Sequence, residues 1–82
     1  MQTMRTNGRA TVVQEKIRDG LLPHERPVKL YGGPGSGKVC VVCTDHINPP
    51  ALQYECSMPT GTTLYFCRQC FFAWLHEVDL RS

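Results

Sequence analysis

A small α+β domain stabilised by a metal ion is the fold class that this sequence predicts. Three observations predict it. Two C-x-x-C pairs, Cys40–Cys43 and Cys67–Cys70, stand 23 residues apart, a spacing suited to four thiolates around one ion. Between the pairs, residues 51–66 read as a β-hairpin. Directly after Cys70, apolar residues recur with helical period. Two residues between cysteines let a tight turn aim both sulfurs at one point. Two such turns complete a tetrahedron with Zn–S distances of about 2.3 Å.

Length and composition agree with a metal staple. The chain has 82 residues and five cysteines. A chain this short buries too little apolar surface for a large stability margin, so a metal, disulfides or a partner subunit is expected. An odd number of cysteines leaves one thiol over in any internal disulfide framework. Residues 1–20 contain no apolar run like the roughly 7–15 residues of a secretory h-region. No stretch approaches the roughly 20 apolar residues of a membrane span. A cytoplasmic, reducing environment is therefore expected, where cysteine pairs bind metal rather than oxidise. Charge is uneven. Residues 1–38 carry seven Lys/Arg and three Asp/Glu, residues 39–82 two and four, and the whole chain has a formal charge of +2. Four thiolates and one Zn²⁺ would make the second half more negative still.

Along the chain, residues 1–10 lack periodicity and are expected to form a disordered tail. Residues 11–37 are expected to hold a helix and a Pro/Gly-rich connection. Thr11 and Gln14 have the spacing of a capping box. Val13, Ile17 and Leu21 share one helical face, and Gly20 suits a left-handed helix end. Pro23 and Pro27 bracket an extended connection, and residues 28–31 suit a brief strand. The run Gly32-Gly33-Pro34-Gly35-Ser36-Gly37-Lys38 imitates a phosphate-binding loop through Gly32, Gly37 and Lys38. Val39 stands where a Mg²⁺-binding hydroxyl belongs, and a cysteine turn rather than a helix follows. No nucleotide is expected; the run reads as a glycine hinge.

Residues 38–82 form the expected metal-binding domain. After Cys43, Asn48-Pro49-Pro50 closes a polar loop. Leu52, Tyr54, Cys56 and Met58 alternate with Gln53, Glu55 and Ser57, as in a half-buried strand. Residues 59–62 make the turn, and Thr63 to Phe66 form the return strand. From Arg68 to about Leu80, Phe71, Trp74, Leu75 and Val78 share one helical face. Phe72 falls at its flank.

Cysteine turn, hairpin, then a second pair at a helix start: this order resembles the treble-clef class of zinc fingers, including its LIM-like members, over roughly residues 38–80. Phe66-Cys67-Arg68-Gln69-Cys70 and Trp74 carry the resemblance, with Cys67 where histidine is frequent. The resemblance implies an architecture and one structural Zn²⁺, but no particular role, since the class serves nucleic-acid binding, protein binding and catalysis.

The expected ligands are Cys40, Cys43, Cys67 and Cys70. Cys56 and His46 are the rivals. Cys56 shares its strand phase with core residues, and His46 lies in a proline-bounded loop. Zinc and iron both accept four thiolates. Four thiolates close the coordination shell, and neither H-E-x-x-H nor a deaminase signature occurs, so no enzymatic activity is expected. The expected role is protein interaction, with another protein or a second copy of the chain. The alternative is nucleic-acid binding through Arg5, Arg9, Lys16, Arg18, Arg26, Lys29 and Lys38.

Overall fold

The computed structural model describes residues 2–81, with side chains described from Gly8 onward. Two helices and five strands follow in the order α1 (Gln2–Arg18), β1 (Lys29–Pro34), β2 (Lys38–Val39), β3 (His46–Ile47), β4 (Leu52–Ser57), β5 (Thr63–Cys67) and α2 (Arg68–Leu80). One antiparallel sheet has the order β1-β4-β5, and β2 pairs with β3 separately.

Helix α1 begins well before Thr11, so residues 2–10, expected to be disordered, are helical. The physical reason is that nothing in that stretch stops a helix: it has no proline, and Gly8, its weakest helix former, costs only about 1 kcal/mol relative to alanine. Thr11 therefore lies inside the helix and does not cap it. Gln14 has a different task, donating from Nε2 to the Glu77 carboxylate of α2 at 3.0 Å. The helix ends as its sequence indicates. Gly20 takes φ +79°. Gly20 N–H reaches the Ile17 carbonyl and Leu21 N–H the Lys16 carbonyl, which is the paired bonding of a glycine-terminated helix. This turn swings Leu21 out to solvent and buries Leu22 in its place. Val13 is buried as expected, with Ile17 packed at the core's margin.

The connection after α1 is pinned by Trp74, whose indole Nε1–H donates to the Pro23 carbonyl at 2.9 Å. β1 then runs on through Gly32, Gly33 and Pro34. These residues are not a free hinge, because all three pair with β4, opposite Tyr54, Gln53 and Leu52. Gly32 lies over the Tyr54 ring, where an added Cβ would stand 3.5 Å away.

Gly35 has a stricter requirement. It is buried, and a Cβ there would meet the Ile47 carbonyl oxygen at 2.3 Å. Backbone cannot yield as a flexible side chain can. Gly35→Ala is expected to destabilise the fold by about 1–3 kcal/mol, the usual cost of overpacking, read as a lower denaturation midpoint. Gly37, at φ +85°, turns the chain into β2. The glycine run is thus a strand end and a tight crossing beneath β3, followed by a cysteine turn and no helix.

β4 and β5 form the expected hairpin, with Cys56 opposite Leu64 and Tyr54 opposite Phe66. Its loop carries Gly61 at φ +92°, and Gly61 N–H bonds the Met58 carbonyl. Helix α2 lies across the sheet. Phe66 stacks on Trp74 with centroids 4.8 Å apart, and Tyr54 stacks on Phe71 at 4.4 Å. Val13, Leu22, Val42, Ile47, Cys56, Met58 and Val78 complete the core together with Cys40 and Cys70. The cysteine cluster and the aromatic core are therefore one continuous interior. Glu77 is the exception among these residues: it is buried on α2 and matched by Gln14, with Arg81 3.9 Å away.

Candidate metal centre

Two elements deliver the four cysteines. The β2–β3 hairpin holds Cys40 and Cys43 in its turn, with Cys40 N–H bonded to the Asp45 carbonyl and Thr44 N–H to the Cys40 carbonyl. A bond from Val41 N–H to the Tyr65 carbonyl fastens this turn to β5. Cys67 ends β5 and caps α2 from extended backbone geometry, without a side-chain hydrogen bond to the helix. Its sulfur is thereby free to face the cluster. Cys70 lies one turn in, where the helix N-terminus favours a thiolate.

The Sγ atoms of Cys40, Cys43, Cys67 and Cys70 all lie within 4.8 Å of one another. Cys43 and Cys67 are 3.9 Å apart. A tetrahedral ion with bonds of about 2.3 Å to sulfur requires S···S edges of about 3.8 Å. All five cysteines are free thiols. The four are positioned to hold a metal ion.

Electrostatics suit a cation. Hydrogen bonding from the Cys70 thiol pulls the Cys40 pKa well below its ordinary value, and burial opposes this. Backbone N–H groups of Cys67, Cys43 and Val42 assist by bonding the same sulfur. The counterpart is Cys70, pushed up by that shared bond and by burial, while Arg9 pulls it down. Burial also raises Cys43, against an opposing bond from Asp45 N–H. Four thiolates this close repel strongly, so a cation between them must supply what shared protons otherwise supply. Cys40 and Cys70 are fully buried and the other two partly so.

Thr44 holds a strained position, with φ +64°. A β-branched residue there is an outlier, since its Cβ crowds the following carbonyl. The residue lies in the turn that returns the chain from β2 to β3, held there by the bond from Thr44 N–H to the Cys40 carbonyl. Thr44→Gly is expected to raise stability by about 1 kcal/mol, the lower part of the left-handed penalty, measured as an increased midpoint for the metal-loaded protein.

The rival ligands stand elsewhere. Cys56 is buried in β4, and burial pushes its thiol up to about 11. His46 is exposed, with Nδ1 3.0 Å from the Gly37 carbonyl. Neither joins the four-sulfur cluster. His24 and His76 are exposed as well. One participant has no signal in the sequence: Arg9 Nε donates to Cys70 Sγ at 3.3 Å, from 61 residues away.

The fold and the cluster together define a small α+β domain with a four-cysteine site placed for a metal ion. Comparison with protein-family models, curated proteins and solved structures finds no match for the chain. Among the described residues, no helix is long and apolar enough to cross a membrane.

Proposed function

We propose that the chain is a zinc-stabilised interaction module of the treble-clef type, with one structural Zn²⁺ held by Cys40, Cys43, Cys67 and Cys70. The convergence of those four sulfurs within 4.8 Å carries the reading. The order of cysteine-turn hairpin β2–β3, hairpin β4–β5 and helix α2 supports the architecture. When bound, the ion supplies a rigid, charge-neutralising crosslink. Four sulfurs close its shell and leave no position for a reacting water, so its role is structural and the module is not an enzyme. Zinc is preferred to iron because it takes a closed tetrahedral sulfur shell without redox chemistry.

The module acts by binding, and a protein is the favoured partner. Phe72 is half exposed on α2 beside Tyr54, and Leu30, Tyr31 and Leu52 are exposed on β1 and β4. Several basic side chains proposed for nucleic acid have local partners: Arg26 pairs with Asp79, Arg18 with Asp19, Arg9 with Cys70, and Lys38 lies over the Tyr65 ring. The exposed apolar side chains support a protein partner, and nucleic acid bound through the basic side chains is the alternative.

Native mass measurement with metal analysis tests the site, and titration with duplex and single-stranded nucleic acid at low salt tests the partner class. One zinc per chain without nucleic-acid binding is expected. Affinity falling by about 0.9 log units per log unit of salt for each duplex phosphate contacted would replace the protein partner with nucleic acid.

A further inference from the structure

Helix α1 reaches the cysteine cluster through Arg9. The Nε donor sits 3.3 Å from Cys70 Sγ, and the guanidinium also feels the charges of Cys67 and Cys43. Arg9 stands at the lip of a shallow cleft of about 330 Å³, between α1 and the cysteine turn, lined also by Gly8, Val12, Val42, Cys43 and Cys70. Other anchors of α1 lie further along: buried Val13, partly buried Ile17, and Gln14 bonded to Glu77. Arg9 is itself largely exposed, so it adds little to that packing. Its contact is directed at sulfur.

Four thiolates around a divalent ion leave a net charge of −2 at a site whose Cys40 and Cys70 are shut off from water. A donor N–H with a permanent positive charge, placed on the buried Cys70, offsets part of that excess. Outer-shell partners of this kind orient and tune metal ligands.

We propose that Arg9 is an outer-shell partner of the metal centre, stabilising the Cys70 thiolate of the loaded site and tying the docking of α1 to metal occupancy. This rests on the four-cysteine metal reading above. The coupling is reciprocal: whatever factor docked α1 adds to metal affinity, bound metal adds to docking. Metal loss would therefore loosen α1 from α2 and widen the cleft between α1 and the cysteine turn.

The test uses the full chain, with Zn²⁺ affinity measured by chelator competition and Co²⁺ as a visible probe of stoichiometry. Arg9→Met keeps an apolar stem and removes the charge; Arg9→Lys keeps the charge. Arg9→Met is expected to bind Zn²⁺ about tenfold more weakly, the low end of the outer-shell range, because the guanidinium is open to solvent. Arg9→Lys should recover most of the loss, and the gap between wild type and Arg9→Met should narrow as salt rises. Hydrogen exchange over residues 9–18 should slow on Zn²⁺ addition in the wild type, and less so in Arg9→Met. Equal affinity of Arg9→Met and wild type, or no recovery in Arg9→Lys, overturns the proposal while leaving the metal site standing. A wild type that binds neither ion overturns the metal reading and the proposal with it.

Discussion

Replacing Cys67 by serine is expected to abolish metal retention and to unfold the sheet and α2 together. The position makes the experiment unusually discriminating. Cys67 ends β5 and caps α2, and its side chain makes no capping bond to the helix. Serine is among the best N-cap residues, contributing about 1 kcal/mol over a non-capping side chain. Local helix energetics should therefore improve in Cys67→Ser. Only the lost sulfur can make the variant worse. Structural zinc contributes about 10–16 kcal/mol in finger peptides, against a total stability of about 5–15 kcal/mol for ordinary domains. Losing that term should therefore exhaust the margin. Near-ultraviolet circular dichroism of Trp74, followed as a chelator is added, reads the outcome. The wild type should lose its signal on chelation, and Cys67→Ser should lack it from the start. A folded Cys67→Ser with one metal equivalent would remove Cys67 from the site.

Trp74→Ala should have the second largest effect, a loss of about 3–5 kcal/mol. Trp74 is fully buried, stacks on Phe66, and holds the α1–β1 connection through Pro23. Truncation removes the largest side chain of the core and leaves a cavity where α2, β5 and that connection meet. It also deprives the Pro23 carbonyl of its donor. The cysteine cluster shares this interior, since Cys40 and Cys70 belong to the same buried set. The variant is expected to be folded only with zinc in excess, because a ligand that binds the folded state alone raises its stability with concentration. Denaturant midpoints at rising free zinc measure this. Trp74→Phe, which keeps an aromatic ring against Phe66, should lose much less. Equal losses for Ala and Phe would shift the weight from packing to the indole hydrogen bond.

The site was more legible in the sequence than the fold around it. Spacing alone selects Cys40, Cys43, Cys67 and Cys70, because two residues between cysteines constrain where their sulfurs can point. Alternation placed Cys56 inside, and the helical stripe of Phe71, Trp74, Leu75 and Val78 marked the core face of α2, with Leu75 only partly buried at its edge. Longer-range features left no such trace. β1 continues through Gly32-Gly33-Pro34, residues that locally signal a break; their pairing with β4 depends on partners some twenty residues away. Periodicity placed Leu21 on the face of Val13 and Ile17, yet the chain turns at Gly20 and Leu22 is buried instead. Glu77 interrupts an apolar face, and its partner Gln14 lies 63 residues back. Arg9 looked like one charge of a basic arm until the fold set it against Cys70. Local chemistry reads from local pattern, whereas contacts made by chain reversal require the fold.

X-ray absorption at the zinc edge of the purified protein tests the four-sulfur centre itself. It counts and identifies the atoms bound to the metal without mutating any of them. Four sulfur scatterers at about 2.3 Å, with one zinc per chain, are expected. Nitrogen or oxygen in the zinc shell, or a purified chain carrying no zinc, would contradict the four-sulfur centre.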